Sequence, residues 1–217
     1  MFTKYGYSTL RIIAITTFLL TLISYFVNNE IVKSLIILIP LLFLLFSLYF
    51  FRDPERSSPK KDNVIVSPAD GTVLFVKDVL DNKFINGKAK QVSIFMSPLN
   101  VHVNRIPING KIEYLQYYKG KFISAFKDKA SDENERAEFG INSKFGKIFF
   151  TQVAGFIARR IVYEIKTGDL VEAGKRFGMI KFGSRVDVVV PEKWVAKVNK
   201  GDRVTAGETI LFEFENC

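Results

Sequence analysis

The chain has 217 residues, enough for one domain of ordinary size with an appendage, and its 31 Lys and Arg against 22 Asp and Glu give a formal net charge of +9. The only cysteine, Cys217, rules out an internal disulfide framework, and a single histidine leaves a His/Cys zinc site without enough ligands. The positive charge favours an anionic partner, either nucleic acid or an acidic membrane surface.

The first predicted elements are two apolar helices, residues 12–27 and 34–51, and neither segment contains a charged residue. At 1.5 Å per residue they are about 24 and 27 Å long, close to the roughly 30 Å of a hydrocarbon core. Because the linker between them is very short, we expect an antiparallel transmembrane hairpin. A secretory signal peptide fits the first segment alone, but a second apolar segment follows without a small-residue cleavage pattern. A buried helical pair of a soluble core is the other alternative.

The basic residues predict the orientation of this hairpin. They flank it on both outer sides, whereas the turn carries one acid and one base. Positively charged flanks stay in the cytoplasm, so we expect both ends there, with the rest of the chain tethered to the inner face of the cell membrane. The hairpin accounts for the positive charge, and we expect no nucleic-acid partner. The flanking residues are Lys4, Arg11, Arg52, Arg56, Lys60 and Lys61.

We expect residues 53–217 to form one β-rich catalytic domain behind the hairpin of residues 1–52. Short runs rich in Val, Ile, Phe and Tyr are separated by Gly, Asn and Asp, a pattern typical of strands joined by turns. Residues 159–166 are ambiguous between helix and strand, and the charged segment 127–138 is expected to be a surface loop. The predicted strands are Val64–Val66, Thr72–Val79, Val92–Met96, Lys111–Tyr118, Phe145–Val153, Val186–Val190 and Ile210–Phe214.

A weak internal repeat refines this mainly β prediction. The segment Gly168–Gly174 (GDLVEAG) recurs as Gly201–Gly207 (GDRVTAG). Each copy supplies a turn, a β-branched residue and a second turn, and it resembles the hairpins of barrel-sandwich folds such as biotinyl and lipoyl domains. The two copies predict a barrel-sandwich-like domain with pseudo-twofold strands. Two unrelated turns of similar sequence are the alternative.

Three short segments between the predicted strands carry the candidate catalytic side chains. Asp70 lies at the tip of a turn, His102 is the only imidazole, and Ser184 follows a glycine at the entry to an apolar strand. Each also has an ordinary explanation, because a turn aspartate is usually a local cap, a lone histidine is usually structural, and Gly-Ser is a common dipeptide. No motif supports a metal site.

Basic side chains near these segments have two interpretations. Arg159 and Arg160 could bind a lipid phosphate, although paired arginines usually lie at a solvated edge. Lys181 lies near the tip of an expected hairpin, as a biotinylated lysine does. Its neighbours are not the methionines of that motif, so we do not expect it to carry biotin.

In their order and setting, these segments resemble the phosphatidylserine decarboxylase family, specifically its short, membrane-anchored proenzymes. The resemblance covers nearly the whole chain, including the apolar hairpin. It implies that the proenzyme cuts itself between Gly183 and Ser184 into a large chain, 1–183, and a small chain, 184–217, which remain partners. The matching segments are Phe51–Pro54, Ser67–Gly71, Met96–Arg105, Asn134–Arg136 and Phe182–Ser184.

The resemblance also implies the reaction. Ser184 becomes a covalent pyruvoyl group at the N-terminus of the small chain, so neither a metal nor an external cofactor is needed. The amine of the substrate phospholipid, phosphatidylserine, condenses with the pyruvoyl ketone to an imine that accepts the electrons released with CO₂, which yields phosphatidylethanolamine. His102 is the only imidazole available as the proton donor. The lipid backbone and the oligomeric state, including a homo-oligomer, stay open.

One position departs from the longer members of the family. Their corresponding segment has two histidines three residues apart, one of which joins an aspartate and the serine in a self-cleavage triad, and here Arg105 occupies the second position. Arginine stays protonated and is a poor base, so we expect Asp70 and His102 to activate Ser184, with a different mode of activation as the alternative. Arg105 is expected to hold the substrate carboxylate or phosphate, or to form a surface salt bridge.

The second functional hypothesis is a non-catalytic, membrane-anchored adaptor or carrier subunit with a barrel-sandwich domain. It rests on the hairpin and the repeat, and it predicts that replacing Ser184 by alanine changes nothing. Adaptors of that kind usually carry long coiled-coil heptads, which this sequence lacks.

Overall fold

The chain forms two units, Met1–Glu55 and Arg56–Cys217, of which the first is helical and the second is built of strands. A computed structural model describes residues 1–120, 134–155, 160–181 and 184–215. The architecture is mainly β behind two N-terminal helices, which confirms the predicted fold class.

The helical unit contains α1 (Tyr7–Ser24) and α2 (Glu30–Phe50), preceded by a 3-10 turn at Lys4–Gly6. Asn29 begins α2, because its side-chain oxygen accepts hydrogen bonds from the backbone N–H groups two and three residues ahead, at 3.0 and 3.1 Å. Both helices extend beyond the predicted apolar segments at their N-terminal ends, where polar residues fit a helix terminus. Both are long and apolar enough to cross a membrane.

Pro40 lies inside α2 without breaking it. The hydroxyl of Thr17 in α1 donates a hydrogen bond to the carbonyl oxygen of Pro40 at 3.4 Å. Proline inside a transmembrane helix is tolerated where a neighbouring helix supplies polar partners to the backbone. The contact therefore joins the two helices one turn after the Ile36 carbonyl, which is the acceptor left without a helical partner because proline has no N–H.

The β unit contains fourteen strands within the described ranges, and all seven predicted strands are among them. Most of the additional strands are short or polar, which is why their sequence patterns are weak. The strands are β1 (Val64–Val66), β2 (Gly71–Asp81), β3 (Gly87–Met96), β4 (Val103–Arg105), β5 (Gly110–Tyr118), β6 (Arg136–Ser143), β7 (Gly146–Ala154), β8 (Arg160–Tyr163), β9 (Leu170–Val171), β10 (Arg176–Lys181), β11 (Ser184–Pro191), β12 (Trp194–Ala196), β13 (Arg203–Val204) and β14 (Ile210–Phe214).

Eight of these strands form one large sheet in the order β13-β2-β3-β11-β7-β6-β5-β9, and two sheets of three strands have the orders β1-β14-β12 and β4-β10-β8. Strand β11 lies inside the large sheet, antiparallel to both β3 and β7. Its alternate residues Val186, Val188 and Val190 are fully buried in the main hydrophobic core. The strand that begins at Ser184 is therefore held on both edges and on its core face.

The β unit contains two halves that match each other, one around Val66 and Pro68 and the other around Arg105 and Pro107. Val66 donates a backbone hydrogen bond to the Pro107 carbonyl oxygen, and Arg105 donates one to the Pro68 carbonyl oxygen, both at 2.9 Å. The repeat copies also match, because β9 pairs with the first residues of β5 and β13 pairs with the first residues of β2. The first and last glycines of each copy, at 168, 174, 201 and 207, have φ between 76 and 100°, which glycine adopts at little cost. The two copies are thus a structural repeat.

One prediction needs correction. The segment 127–138 was expected to be a surface loop, but Arg136–Glu138 belongs to strand β6, and residues 127–133 lie outside the described residues. Glu138 is only 1% exposed, because its carboxylate is paired with Lys83 at 2.5 Å and with Arg136 at 3.0 Å. Local charge density therefore misled the prediction. Of the ambiguous segment 159–166, Arg160–Tyr163 is strand β8, and Arg159 lies outside the described residues.

Candidate active site

Ser184 is the first residue of β11 and is fully buried. It pairs with Met96, the last residue of β3, and with Ala154, the last residue of β7. Alternation along the strand directs its side chain to the same face as Val186, which is the core face. A buried hydroxyl thus lies where three strands of the large sheet end together.

The chain changes sheets just before Ser184. Strand β10 ends at Lys181 in the three-stranded sheet with β4 and β8, and β11 belongs to the large sheet. Phe182 and Gly183 lie outside the described residues, so the predicted cleavage residue Gly183 cannot be placed. Ser184 is thus the first described residue after the last strand of the smaller sheet.

The Ser184 hydroxyl contacts a sulfur atom. Its Oγ donates to the Met96 Sδ at 3.2 Å, and the Nδ2 of Asn104 lies 3.8 Å from the same sulfur. A thioether is a weak acceptor, so this contact costs little to break when the hydroxyl reacts. Both Met96 and Asn104 are fully buried. The surroundings of Ser184 therefore hold the hydroxyl in place without strongly stabilising its resting state.

Asn104 belongs to a buried amide network that the sequence does not predict. Its Oδ1 accepts a hydrogen bond from Gln152 Nε2 at 2.7 Å, and its Nδ2 donates to the Pro68 carbonyl oxygen at 3.2 Å. Asn104 lies two residues after His102 in the segment that resembles the family, whereas Gln152 lies inside a strand and gives no sequence signal. The network joins β4, β7 and the turn of residues 67–70 beside Ser184.

His102 is fully buried immediately before β4. Its Nδ1 lies 2.9 Å from the carbonyl oxygen of Asn100. Because a carbonyl oxygen only accepts hydrogen bonds, Nδ1 carries the proton in this arrangement and Nε2 of the neutral ring carries the lone pair. The turn that contains Asn100 begins directly after Met96, the residue paired with Ser184. The geometry defines Nε2 as the atom of His102 that can take a proton.

Asp70 lies in the turn between β1 and β2. Its Oδ1 accepts a hydrogen bond from the backbone N–H of Ala206 at 2.8 Å, and its Oδ2 lies 3.1 Å from Arg56 Nη2. In the other half of the unit, Asn109 Oδ1 accepts the matching hydrogen bond from the N–H of Ala173 at 2.7 Å. Asp70 therefore links the turn between β1 and β2 to the second repeat copy. Asn109 makes the equivalent link to the first repeat copy. The carboxylate adds a charge that pairs with Arg56.

Arg105 is buried and reaches the repeat. Its Nη1 donates to the carbonyl oxygen of Gly174 at 2.8 Å, and a Cβ built on Gly207 would lie 2.9 Å from the Arg105 Cδ. Arg105 therefore passes between the last glycines of the two repeat copies. This contact gives the side chain a structural function, and its binding of substrate stays a prediction.

The segment Asn134–Arg136 contacts the end of β7 beside Ser184. Asn134 Nδ2 donates to the carbonyl oxygen of Ala154 at 2.7 Å, and the backbone N–H of Ala154 donates to the Glu135 carbonyl oxygen at 2.9 Å. The Glu135 carboxylate accepts the Tyr117 hydroxyl at 2.9 Å. Burial and this carboxylate raise the pKa of Tyr117 to about 12. The segment thus fixes the strand end against which Ser184 pairs.

A second buried group lies on the opposite face of β11. The Arg185 guanidinium contacts the Asp187 carboxylate through Nε at 2.9 Å and through Nη2 at 3.0 Å, and the Ser93 hydroxyl donates to Asp187 at 2.6 Å. The ion pair and the Nη2 hydrogen bond together restrict the orientation of the guanidinium. The residue that follows Ser184 is therefore held rigidly. No group of three His, Cys, Asp or Glu residues suited to a metal ion occurs among the described residues.

Comparison with known proteins identifies the family to which this chain is similar. The model of the phosphatidylserine decarboxylase family matches residues 43–212. A phosphatidylserine decarboxylase proenzyme of Chlorobium phaeovibrioides is 49% identical over 216 residues, which cover 97% of this chain and 95% of the relative. The proenzyme of Chlorobium limicola is 46% identical over 99% of this chain and 100% of its own length, and that of Prosthecochloris aestuarii is 44% identical over 100% and 99%.

Proposed function

Because the chain belongs to the phosphatidylserine decarboxylase family, we propose that it cuts itself before Ser184 and decarboxylates phosphatidylserine through a pyruvoyl group formed from that residue. Membership of this family makes the protein a carboxy-lyase and decides against the non-catalytic adaptor. The observation that carries the proposal is that Ser184 has a buried hydroxyl and is the first residue of β11, an internal strand of the large sheet.

Self-cleavage converts the amide before Ser184 into an ester. The Ser184 Oγ attacks the carbonyl carbon of residue 183 and gives up its proton, and the C–N bond breaks as the nitrogen of Ser184 becomes a free amine. Loss of the Ser184 Cα proton then expels the carboxylate of the large chain and leaves dehydroalanine. Its enamine tautomerises, and water replaces the nitrogen, which leaves as ammonia. The result is an α-keto group, and no oxidant or reductant is consumed.

His102 is the proposed base for this reaction. Its Nδ1 points to the Asn100 carbonyl oxygen, so the neutral ring presents an unprotonated Nε2. Once protonated, the same Nε2 is the proposed donor of the proton that replaces CO₂ on the substrate carbon. A single imidazole then serves both reactions, in place of the two histidines of the longer relatives.

Asp70 and Asn104 have proposed positioning and electrostatic functions. Asp70 fixes the turn whose Pro68 carbonyl oxygen accepts hydrogen bonds from Asn104 Nδ2 and from the Arg105 N–H. Asn104 is in turn held by Gln152 at 2.7 Å. An amide fixed in this way can stabilise the oxyanion that develops when the Ser184 hydroxyl attacks, because its orientation needs no rearrangement. Arg105 supports the same turn, and its predicted contact with the substrate stays part of the proposal.

The site also suits the pyruvoyl group itself. When present, this group supplies an electron sink that accepts the electrons left by departing CO₂. The surroundings of residue 184 are buried and contain the apolar Met96 and Ala154 together with the fixed amide of Asn104. Burial excludes water, which strengthens the electrostatic effect of the few polar groups that remain.

Cleavage would leave the two chains interlocked. The small chain contributes β11, which lies between β3 and β7 of the large chain, and β14, which pairs with β1. Each of these ladders buries apolar residues in the common core. We therefore propose that the large and small chains form one folded unit after cleavage.

The anchor places this activity at its substrate. We propose that α1 and α2 cross the inner membrane as a hairpin and that both of its ends, with the β unit, lie in the cytoplasm, as the basic flanks indicate. A tethered enzyme needs only the headgroup of a neighbouring lipid to enter its site. Proteolysis of inverted and right-side-out membrane vesicles tests the orientation, because only inverted vesicles should expose the β unit.

The experiment that tests the function measures both the number of chains in the purified protein and its decarboxylase activity. Full-length wild type, Ser184→Ala and the matched control Ser143→Ala are purified in detergent and compared on denaturing gels and with phosphatidylserine micelles. Wild type and Ser143→Ala should each give two chains and release CO₂, and Ser184→Ala should give one chain and none. CO₂ release by an uncleaved Ser184→Ala protein would contradict the proposal.

A further inference from the structure

Glu135 is a nearly buried carboxylate without a cation beside it. It is 6% exposed, and its Oε1 accepts hydrogen bonds from the Tyr117 hydroxyl at 2.9 Å and from the Ile161 N–H at 3.3 Å. No Lys or Arg that the structure describes forms an ion pair with it. Removing a carboxylate from water is costly when no opposite charge compensates for the lost hydration. The position therefore suits a cationic ligand.

An open cavity adjoins this carboxylate and also contains a cation. The cavity has a volume of about 520 Å³ and is lined by Tyr117, Glu135 and all four residues of β8, Arg160–Tyr163. Arg160 is exposed, and none of the described carboxylates, Glu135 included, forms an ion pair with it. One cavity thus offers a carboxylate and a guanidinium that do not pair with each other. Such a cavity suits a ligand that carries both an ammonium and an anion.

The cavity lies beside the strand ends that meet at Ser184. The ladder between β6 and β7 pairs Arg136 with Val153, and the N–H of the next residue, Ala154, donates to the Glu135 carbonyl oxygen at 2.9 Å. Ala154 is also the register partner of Ser184. Neighbouring strands are about 4.8 Å apart, so the backbones of Glu135 and Ser184 are separated by about 10 Å. A ligand in the cavity is therefore held close to the residue that reacts.

We propose that this cavity binds the headgroup of an aminophospholipid, with the ammonium on Glu135 and the phosphodiester on Arg160. The lipid identity of the ligand rests on the proposed function, whereas the site itself rests on the two charges and the cavity that they line. The cavity holds the headgroup before its amine reacts at residue 184. Phosphatidylserine and phosphatidylethanolamine both carry the ammonium and the phosphodiester, so the site accepts substrate and product.

The anion that fits Arg160 is the phosphodiester rather than the substrate carboxylate. The carboxylate leaves as neutral CO₂, so a cation bound to it would stabilise the ground state more than the transition state and slow the reaction. The phosphodiester keeps its charge throughout the reaction. Two carbon atoms and one oxygen atom separate the ammonium nitrogen from the phosphorus. One headgroup can therefore contact two side chains that do not touch each other.

The test measures binding of two soluble headgroup probes to full-length protein in detergent micelles. Glycerophosphoethanolamine carries the ammonium and the phosphodiester, whereas glycerophosphoglycerol carries the phosphodiester alone. All variants are made in the Ser184→Ala background, which forms no pyruvoyl group, so binding of the amine reports the cavity alone. Loss of a hydrogen bond to a charged group predicts about tenfold weaker binding of both probes in Arg160→Met. Glu135→Gln should weaken glycerophosphoethanolamine about tenfold and leave glycerophosphoglycerol unchanged.

Matched controls separate these effects from general changes of charge and from misfolding. Arg203→Met and Glu113→Gln make the same substitutions at exposed positions and should bind both probes as the Ser184→Ala protein does. Glu135→Gln keeps an oxygen that can accept the same two hydrogen bonds and removes an uncompensated charge, so its thermal midpoint should equal or exceed that of the Ser184→Ala protein. Arg160→Lys, which keeps the positive charge, should retain most of the affinity.

Failure of either Arg160→Met or Glu135→Gln to weaken binding of glycerophosphoethanolamine would overturn the proposal. Equal weakening of both probes in Glu135→Gln would also overturn it, because the carboxylate would then not distinguish the ammonium. The chain count of wild type tests the proposed function separately. If wild type is uncleaved and the variants show the expected pattern, the headgroup site stands without the proposed reaction. If wild type is cleaved and the variants bind as the Ser184→Ala protein does, only the headgroup site is contradicted.

Discussion

Asp70 and Asn109 occupy matching positions in the two halves of the β unit, and each accepts a hydrogen bond from the backbone N–H of the alanine in one repeat copy, at 2.8 and 2.7 Å. An amide oxygen therefore performs the capping function as well as a carboxylate oxygen does. What Asp70 adds is its charge, which pairs with Arg56 at 3.1 Å. The two contributions can be separated by substitution.

Asp70→Asn should keep the cap and lose the charge. If Asp70 acts by holding its turn, the variant should still cleave itself, with a rate lowered by less than about tenfold. When an aspartate orients a catalytic histidine, its replacement by asparagine typically lowers the reaction rate by about 10⁴-fold. The rate of conversion of precursor to two chains on denaturing gels distinguishes the two functions. Asp70→Ala, which also loses the cap, should lower the free energy of unfolding by about 1 kcal/mol.

His102→Gln should block both chemical steps. Glutamine can keep a hydrogen bond to the Asn100 carbonyl oxygen but has no atom that takes up a proton at neutral pH. Loss of a general base predicts a decrease in the cleavage rate of about 10²- to 10⁴-fold. Pulse-chase labelling measures the precursor, and the neighbouring Asn100→Ala is the control, which should fold and cleave. Cleavage of His102→Gln at the wild-type rate would require another base.

Asn104→Ala and Met96→Leu separate the two neighbours of the Ser184 hydroxyl. Asn104→Ala removes the proposed oxyanion donor and leaves Gln152 without its 2.7 Å partner, so cleavage should slow by about 10²-fold. Met96→Leu preserves the buried volume and removes only a weak acceptor, so stability should fall by less than about 1.5 kcal/mol and cleavage should continue. Single-turnover cleavage of freshly refolded precursor measures both rates. Equal rates in the two variants would contradict the function of Asn104.

The mature protein should behave as one particle of two chains. Since β11 is held by β3 and β7 at once, the small chain should co-purify with the large chain through gel filtration in detergent and separate only in denaturant. Both fragments in one peak, seen as two bands on a denaturing gel, are the expected result. Release of the small chain under native conditions would show that the ladders do not hold it.

Alkaline pH should destabilise the fold partly through Tyr117. Burial and Glu135 raise the pKa of Tyr117 to about 12, above its usual value of 10.0, so the folded state binds this proton more tightly than the unfolded state does. This contribution to the free energy of unfolding is complete below pH 10 and is lost as the pH rises through about 12. The free energy of unfolding, measured in urea between pH 8 and 12, should therefore fall less steeply with pH in Tyr117→Phe than in wild type.

The sequence allowed the fold class, the two apolar helices and seven strands to be predicted, because these depend on apolar patterns that repeat locally. It did not reveal Gln152 or the match between Asp70 and Asn109, because both depend on pairing between distant strands. The segment around Glu138 misled the prediction because its burial depends on Lys83, which lies far away in the chain. The sequence was therefore enough to select candidate residues by their type. Assigning a function to each of them required knowing which distant residues it contacts.

The intact mass of the small chain tests the central claim most directly. Wild-type protein is purified from membranes, its two chains are separated in denaturant, and the mass of the fragment that begins at residue 184 is measured. A pyruvoyl group in place of an N-terminal serine lacks the elements of ammonia, so the mass should be about 17 Da below that of residues 184–217 with a free serine amine. A fragment with the full serine mass, or a single unbroken chain of 217 residues, would contradict the account.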